Sequence, residues 1–241
     1  MNVGSVNITN AISKAWSNIA KSMEKTASMD AIPAAQYDPS GLAISERLKA
    51  SAIESSMRSQ NLAMEMNADM TAEAALGSIQ GSVQRINELS VAASNGTLTS
   101  QDRAIIQEEI NGLKSGIDDI ASNTQFNNKQ LIAGYTSENL GLDGINVIGN
   151  PGSAITSAHD AIDMISSGRA SFGSSINAAQ KNYENLQKME SSALSSYEGI
   201  RGLDIAKEMT EMTKNKMMLE AGVSMLKTQN EMSGYLIGLI S

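Results

Sequence analysis

Cysteine is absent from these 241 residues, aromatic residues make up only 3%, and there are three prolines and a single histidine. Without cysteine there is no disulfide, no thiolate metal ligand and no thiol nucleophile. With His159 alone, a histidine-rich metal site is excluded and most general-base schemes lose their usual residue. Basic residues are outnumbered, 18 Lys and Arg against 26 Asp and Glu, giving a net charge of −8. Phosphate binding needs a basic stripe, and Arg47 with Lys49 supplies only two charges on a solvated helix face, so nucleic acid is not an expected partner. No window approaches ~18 apolar residues, so membrane insertion is not expected. The stretch Met1 to Asn10 lacks the basic start, apolar core and small-residue site of a cleaved signal, so any export is expected to use another route.

What the chain has is 41% hydrophobic content with 15 methionines. So little aromatic bulk predicts thin, elongated helical packing in which Met fills irregular gaps. From Ile205 the steps Met209, Met212, Lys216, Leu219, Val223, Leu226, Asn230, Ser233, Ile237 and Ile240 make an unbroken 4-3 alternation, apolar except at Lys216, Asn230 and Ser233. Such a one-sided seam at a terminus needs a partner, either the other end of the chain or another subunit. Ile8, Ile12, Trp16, Ile19 and Met23 fall on one face of a first helix and offer that partner.

Between the ends, Ala31 to Gly41 breaks the pattern at Pro33 and Pro39 and reads as a linker. A helix from Leu42 runs through Leu48, Ile53, Met57, Leu62, Met66, Leu76, Ile79, Val83, Ile86 and Leu89 to a left-handed stop at Asn95-Gly96. About 50 residues at ~1.5 Å each span ~75 Å, which requires equally long neighbours. Thr99-Ser100-Gln101-Asp102 has capping-box spacing, and the helix it starts carries Ile106, Ile110, Leu113, Ile117 and Ile120. Gly-interleaved residues from Phe126 to Gly152 are the only β-like texture, with Ile145-Asn146-Val147 as the strand candidate. A last long helix begins near Ser153, and Gly199 with Gly202 marks a hinge. The predicted fold is mainly α: a long antiparallel, coiled-coil-like helical rod with a small β-hairpin segment about 127–152 and paired N- and C-terminal helices. The predicted domains are 1–42 plus 200–241, and 43–199.

No constellation for chemistry emerges. Glu108-Glu109 and Asp118-Asp119 are adjacent on helices, about 100° apart, and read as solvated faces. Gly141, Gly144 and Gly149 lack the spacing and setting of a phosphate loop. Asn7-Ile8-Thr9 and Asn95-Gly96-Thr97 are formal glycosylation triplets, the second explained by its turn. His159 reads as a surface or interface residue. No catalytic, cofactor or metal site is expected. Met209, Met212, Met217, Met218, Met225 and Met232 read either as an adaptable partner groove or as a packed seam, the seam being favoured.

Ser40-Gly41-Leu42-Ala43-Ile44-Ser45-Glu46-Arg47-Leu48, Gln84-Arg85-Ile86-Asn87-Glu88-Leu89, Asn95-Gly96-Thr97 and Asn123-Thr124-Gln125-Phe126-Asn127 together resemble the N-terminal half of bacterial flagellins. Phe172-Gly173-Ser174, Glu208-Met209-Thr210, Ala221-Gly222-Val223-Ser224-Met225-Leu226 and Gln229-Asn230 are similar to the C-terminal half. The resemblance implies a filament subunit for swimming motility. Its terminal helices line a hollow helical homo-polymer, it is exported unfolded through a type III apparatus, it is held by an export chaperone and it is polymerised under a cap protein. The assembly surface is then expected at Ile8, Ile12, Trp16, Ile19, Met23, Ile205, Met209, Met212, Leu219, Val223, Leu226, Ile237 and Ile240. Arg85, Leu89 and Glu109 match the family's segment read by the vertebrate innate flagellin receptor, although Asn87 departs from it. Ser28-Met29-Asp30 stands where the family usually has Ser-Ser-Gly. The large outer domains of many members are missing, which implies a thin, smooth filament. A minor hook-associated or junction protein and a secreted helical effector are the competing expectations.

Overall fold

The structure, a computed structural model, describes residues 3–240, with side chains described for 6–235. Among these residues the chain forms five helices and one hairpin: α1 (Val3–Ser28), α2 (Pro39–Ala93), α3 (Ser100–Asn123), β1 (Gln125–Phe126), β2 (Lys129–Gln130), α4 (Pro151–Arg201) and α5 (Ile205–Ile240). It divides into two compact units, residues 1–54 with 189–241, and residues 55–188, with α2 and α4 contributing to both. Among the described residues no helix is long and apolar enough to cross a membrane.

The second unit is an antiparallel helical bundle. Ala72, Leu76, Ile79, Val83, Ile86 and Ala93 of α2 are buried at alternating four- and three-residue steps, interrupted only where Ser90 takes the seam position. That period keeps one stripe facing the neighbouring helices. Ile110 and Ile117 of α3 meet it, as do Ala154, Ala158, Ala161 and Ile165 of α4, whose small side chains let the backbones approach closely. Direction follows from paired side chains. Ser175 donates to Asp69 at 2.7 Å and Arg169 donates to Glu73 at 2.6 Å and to Gln80 at 2.6 Å, so α4 descends as α2 climbs. The sequence missed the alanine stripe of α4, because alanine carries little hydropathic signal of its own.

Helix boundaries have local causes. Asp38 caps α2 by accepting from the Gly41 amide at 2.8 Å, and Pro39 occupies the first helical position, where its missing N–H costs nothing. The helix therefore starts three residues before the expected Leu42. The capping box of α3 is present: Asp102 N–H donates to the Thr99 hydroxyl at 3.2 Å and the Asp102 carboxylate accepts from the Thr99 amide at 2.9 Å. The left-handed stop expected at Asn95-Gly96 is not found, since neither residue has positive φ. Instead the Asn95 side chain accepts from the Thr97 amide at 3.0 Å, an Asx turn that ends the helix without a left-handed residue.

The hairpin also differs from expectation. It lies at 125–130, where Asn127 and Asn128 at φ 48° and 63° make the mirror-image two-residue turn that matches strand twist. Ile145-Asn146-Val147 alternates in burial as expected but pairs with no strand. The Gln107 carboxamide takes the partner's place, donating to the Ile145 carbonyl at 3.2 Å and accepting from the Val147 amide at 2.8 Å. Asp118 is likewise no solvated acid: it accepts from the Ser137 amide at 2.7 Å and hydroxyl at 2.8 Å, tying the glycine-rich segment to α3. Replacing Gln107→Leu strands a backbone donor and an acceptor together. Urea unfolding should show a loss of about 1–3 kcal/mol, whereas an unchanged midpoint would mean that water substitutes freely.

Candidate assembly surface

The first unit is built on the pairing of α1 with α5. Ser22 donates to Glu208 at 2.6 Å, Asn18 donates to Asn215 at 3.4 Å, and Ile12 lies against Gly222, an antiparallel order. The inward face of α1 follows Ile8, Ile12, Ala15, Ile19, Ser22 and Thr26, and that of α5 follows Glu208, Met212, Asn215, Leu219, Gly222, Leu226 and Gln229. Both are strict 4-3 alternations. Seven of these thirteen residues are polar or small, and Asn215 is only 6% exposed. A β-carbon at Gly222 would collide with the Ile12 side chain, so the helices touch there because the residue is glycine.

The predicted interface residues divide accordingly. Ile8, Ile12 and Ile19 of α1 and Met212, Leu219 and Leu226 of α5 belong to this intrachain seam. Trp16, 60% exposed, and Met23, together with Ile205, Met209 and Val223, face away from it. Ile237 and Ile240 lie outside the described side chains. The predicted and observed α5 seams share the line Met212, Leu219, Leu226 and leave it on opposite flanks. The apolar reading stepped to Lys216 and Val223, whereas the observed contact steps to Asn215 and Gly222. Ser22, Glu208, Asn215 and Gly222 were missed, although their heptad spacing was visible once small and polar residues were admitted. Of the six methionines on α5 only Met212 enters the seam, so the packed-seam reading of the methionines gives way to an exposed face.

At the base of the pair, the chain reverses in two places that are clamped to each other. Asp30 N–H bonds the Lys25 carbonyl at 3.2 Å and Met29 N–H the Thr26 carbonyl at 3.4 Å, closing α1 in a Schellman motif. The left-handed position is held by Met29 at φ 54°, where glycine is usual. Ala31 N–H then donates to the Arg201 carbonyl at 2.9 Å, and the Arg201 guanidinium forks onto the Asp30 carboxylate, with Glu46 3.4 Å away on its other side. Arg201 and Asp30 side chains are 16% and 18% exposed. Burial would raise the Asp30 pKa, but hydrogen bonds from Arg201 and the Ile32 amide and the Arg201 charge outweigh it and hold the carboxyl below its ordinary value.

In the second unit, Arg85 and Glu109 are brought together, Nη2 to Oε1 at 2.9 Å, with Glu88 3.2 Å from the same guanidinium. This exposed pair ties α2 to α3. Leu89, the third residue of that set, is buried in the bundle core. His159 is exposed, and no group of three potential metal-ligating side chains occurs among the described residues.

Two measurements probe the first unit. A carboxyl whose folded pKa is depressed stabilises above its unfolded value of about 3.9 and loses that contribution as pH falls through the lower folded value. The protection factor of the Ala31 amide, its exchange rate relative to an unprotected amide at the same pH, should therefore fall below about pH 4, and Asp30→Asn should abolish that acid dependence; an unaltered pH profile in the variant would assign it to another carboxylate. Gly222→Val should overpack the contact with Ile12 and cost about 1–3 kcal/mol, read as lost helicity of the pair on heating, with no loss if the helices simply slide apart.

Comparison with known proteins agrees with this architecture. The model of the bacterial flagellin N-terminal helical region matches residues 1–137 and that of the bacterial flagellin C-terminal helical region matches 155–240. The chain is 30% identical to the flagellin of Bacillus subtilis, covering 95% of each chain, and 30% identical to the flagellar filament 33 kDa core protein of Treponema phagedenis, covering 92% of each. A crystal structure of Bacillus cereus flagellin aligns with 53% of this chain and 88% of its own at a TM-score of 0.48 and 26% identity. With both terminal regions matched in order and almost the whole length shared with these relatives, the chain belongs to the bacterial flagellins, structural subunits of the flagellar filament rather than enzymes.

Proposed function

We propose that residues 1–42 and 200–241 form the inner wall of the filament and that contacts between subunits run through the outward faces of α1 and α5. One observation carries this reading: the pair spends polar and small residues on its own seam and leaves Trp16, Met23, Ile205, Met209, Met217, Val223 and Met225 exposed. A few scattered apolar side chains on a surface need no explanation, but this many exposed large apolar side chains on the non-seam side of both partners of a helix pair support an interaction surface. Residues 43–199 then form the outer layer, with Arg85, Leu89 and Glu109 holding α2 and α3 in place.

The same face supports capture by an export chaperone before assembly and addition beneath a cap protein, as the family resemblance implies. An unassembled chain with this surface bare would aggregate. The junction-protein and effector readings have no observation in their favour.

The seam and the outward face are separable by mutation. Met217→Glu with Met225→Glu places charge on exposed positions outside the α1–α5 contact, so circular dichroism should be unchanged while seeded polymerisation falls below detection. Leu226→Asp, on the seam, should instead lose helicity as well, at a cost of several kcal/mol for a charge buried without a partner. Normal filaments from the Met217→Glu, Met225→Glu chain would remove α5 from the subunit interface.

A further inference from the structure

Five of the six α5 methionines, Met209, Met217, Met218, Met225 and Met232, are each about half or more exposed. Met218, Met225 and Met232 are spaced by seven, which puts their thioethers on one line along the helix. The chain has no cysteine, so these thioethers, with the remaining methionines, are its only sulfur. We propose that this line is an oxidation site that gates assembly: a hydroperoxide converts the exposed α5 methionines to sulfoxides and thereby blocks addition of the subunit to a filament. The proposal rests on the reading of α5 as a subunit interface.

The chemistry requires only the thioether and the peroxide. A sulfur lone pair attacks one oxygen of hydrogen peroxide, the S–O bond forms as the O–O bond breaks, and the departing hydroxide takes up the remaining proton as water. Sulfur is oxidised by two electrons and the peroxide is reduced by two. The product replaces a flexible apolar side chain with a polar, chiral one. Position makes this selective. The modified residues lie off the α1–α5 seam, so the helix pair survives, whereas a polar group now sits on every turn pair of the outward face. Met212, half-buried in the seam, should react later than its exposed neighbours.

The test uses the full chain, purified as subunit, with filament seeds. Hydrogen peroxide treatment should produce sulfoxide at Met218, Met225 and Met232 ahead of Met212 by peptide mass spectrometry, with helicity unchanged. Extension of seeds should slow by roughly tenfold or more. Enzymatic reduction of the sulfoxides should restore it. A Met217→Leu, Met218→Leu, Met225→Leu, Met232→Leu chain lacks these thioethers, and whatever its own rate of seed extension, that rate should be the same before and after peroxide. Normal extension by the oxidised natural chain overturns the proposal, as does failure to recover after reduction, or equal inhibition of the leucine chain, which would place the lesion on another methionine. If the untreated chain itself does not extend seeds, the subunit-interface reading has failed, a result distinct from any of these.

Discussion

The helix pair α1–α5 is the constraint on which the rest of the first unit depends, and it is held by an unusually lean contact. Ser22 to Glu208, Asn18 to Asn215 and the Ile12–Gly222 approach do what leucine ladders do in ordinary coiled coils. Polar groups at seam positions lower stability but select one register, because a slip by a heptad leaves them unpaired. Close approach through glycine adds geometric selectivity. The outcome is a pair with a defined alignment and a modest hold, which leaves Trp16, Met23 and five of the six α5 methionines exposed.

Closure at the base compensates for the lean seam. The residues that meet there, Asp30 and Arg201, are separated by most of the chain, and joining them carries a loop-closure cost that grows only slowly with length. A forked, partly buried ion pair, a backbone bridge from Ala31 to Arg201 and the Schellman turn at Met29 converge on this one place. Together they fix where the pair begins, so that seven-residue slips are opposed from the end as well as along the seam.

The second unit reaches order differently. Its core is a regular apolar stripe from three helices, and the glycine-rich segment is added to it as irregular chain fastened by side chains: Gln107 on Ile145 and Val147, Asp118 on Ser137. Buried backbone groups must find partners, and here side-chain amides and carboxylates serve where a strand would. The contrast explains why one unit can be self-sufficient in apolar contacts while the other presents its apolar surface outward.

Periodicity determined much of this protein without any structure. The long helices, the capping box at Thr99, the core positions of α3 and of α2 from Leu76 to Leu89, and the motifs that place the chain among flagellins were all readable along the sequence, because each depends on residues close together in the chain. In the first half of α2 the same pattern was misleading, since Ile53 and Met57 are exposed. Which flank of α5 meets α1 was not. Hydropathy favoured Val223 and Lys216's side of the helix, and the tertiary contact took Gly222 and Asn215, since that choice depends on how closely two distant backbones can approach and which polar groups they bring opposite each other. The fate of Ile145 to Val147 and the Asp30–Arg201 clasp belong to the same class. They are decided by partners remote in sequence, and only the folded chain brings those partners together.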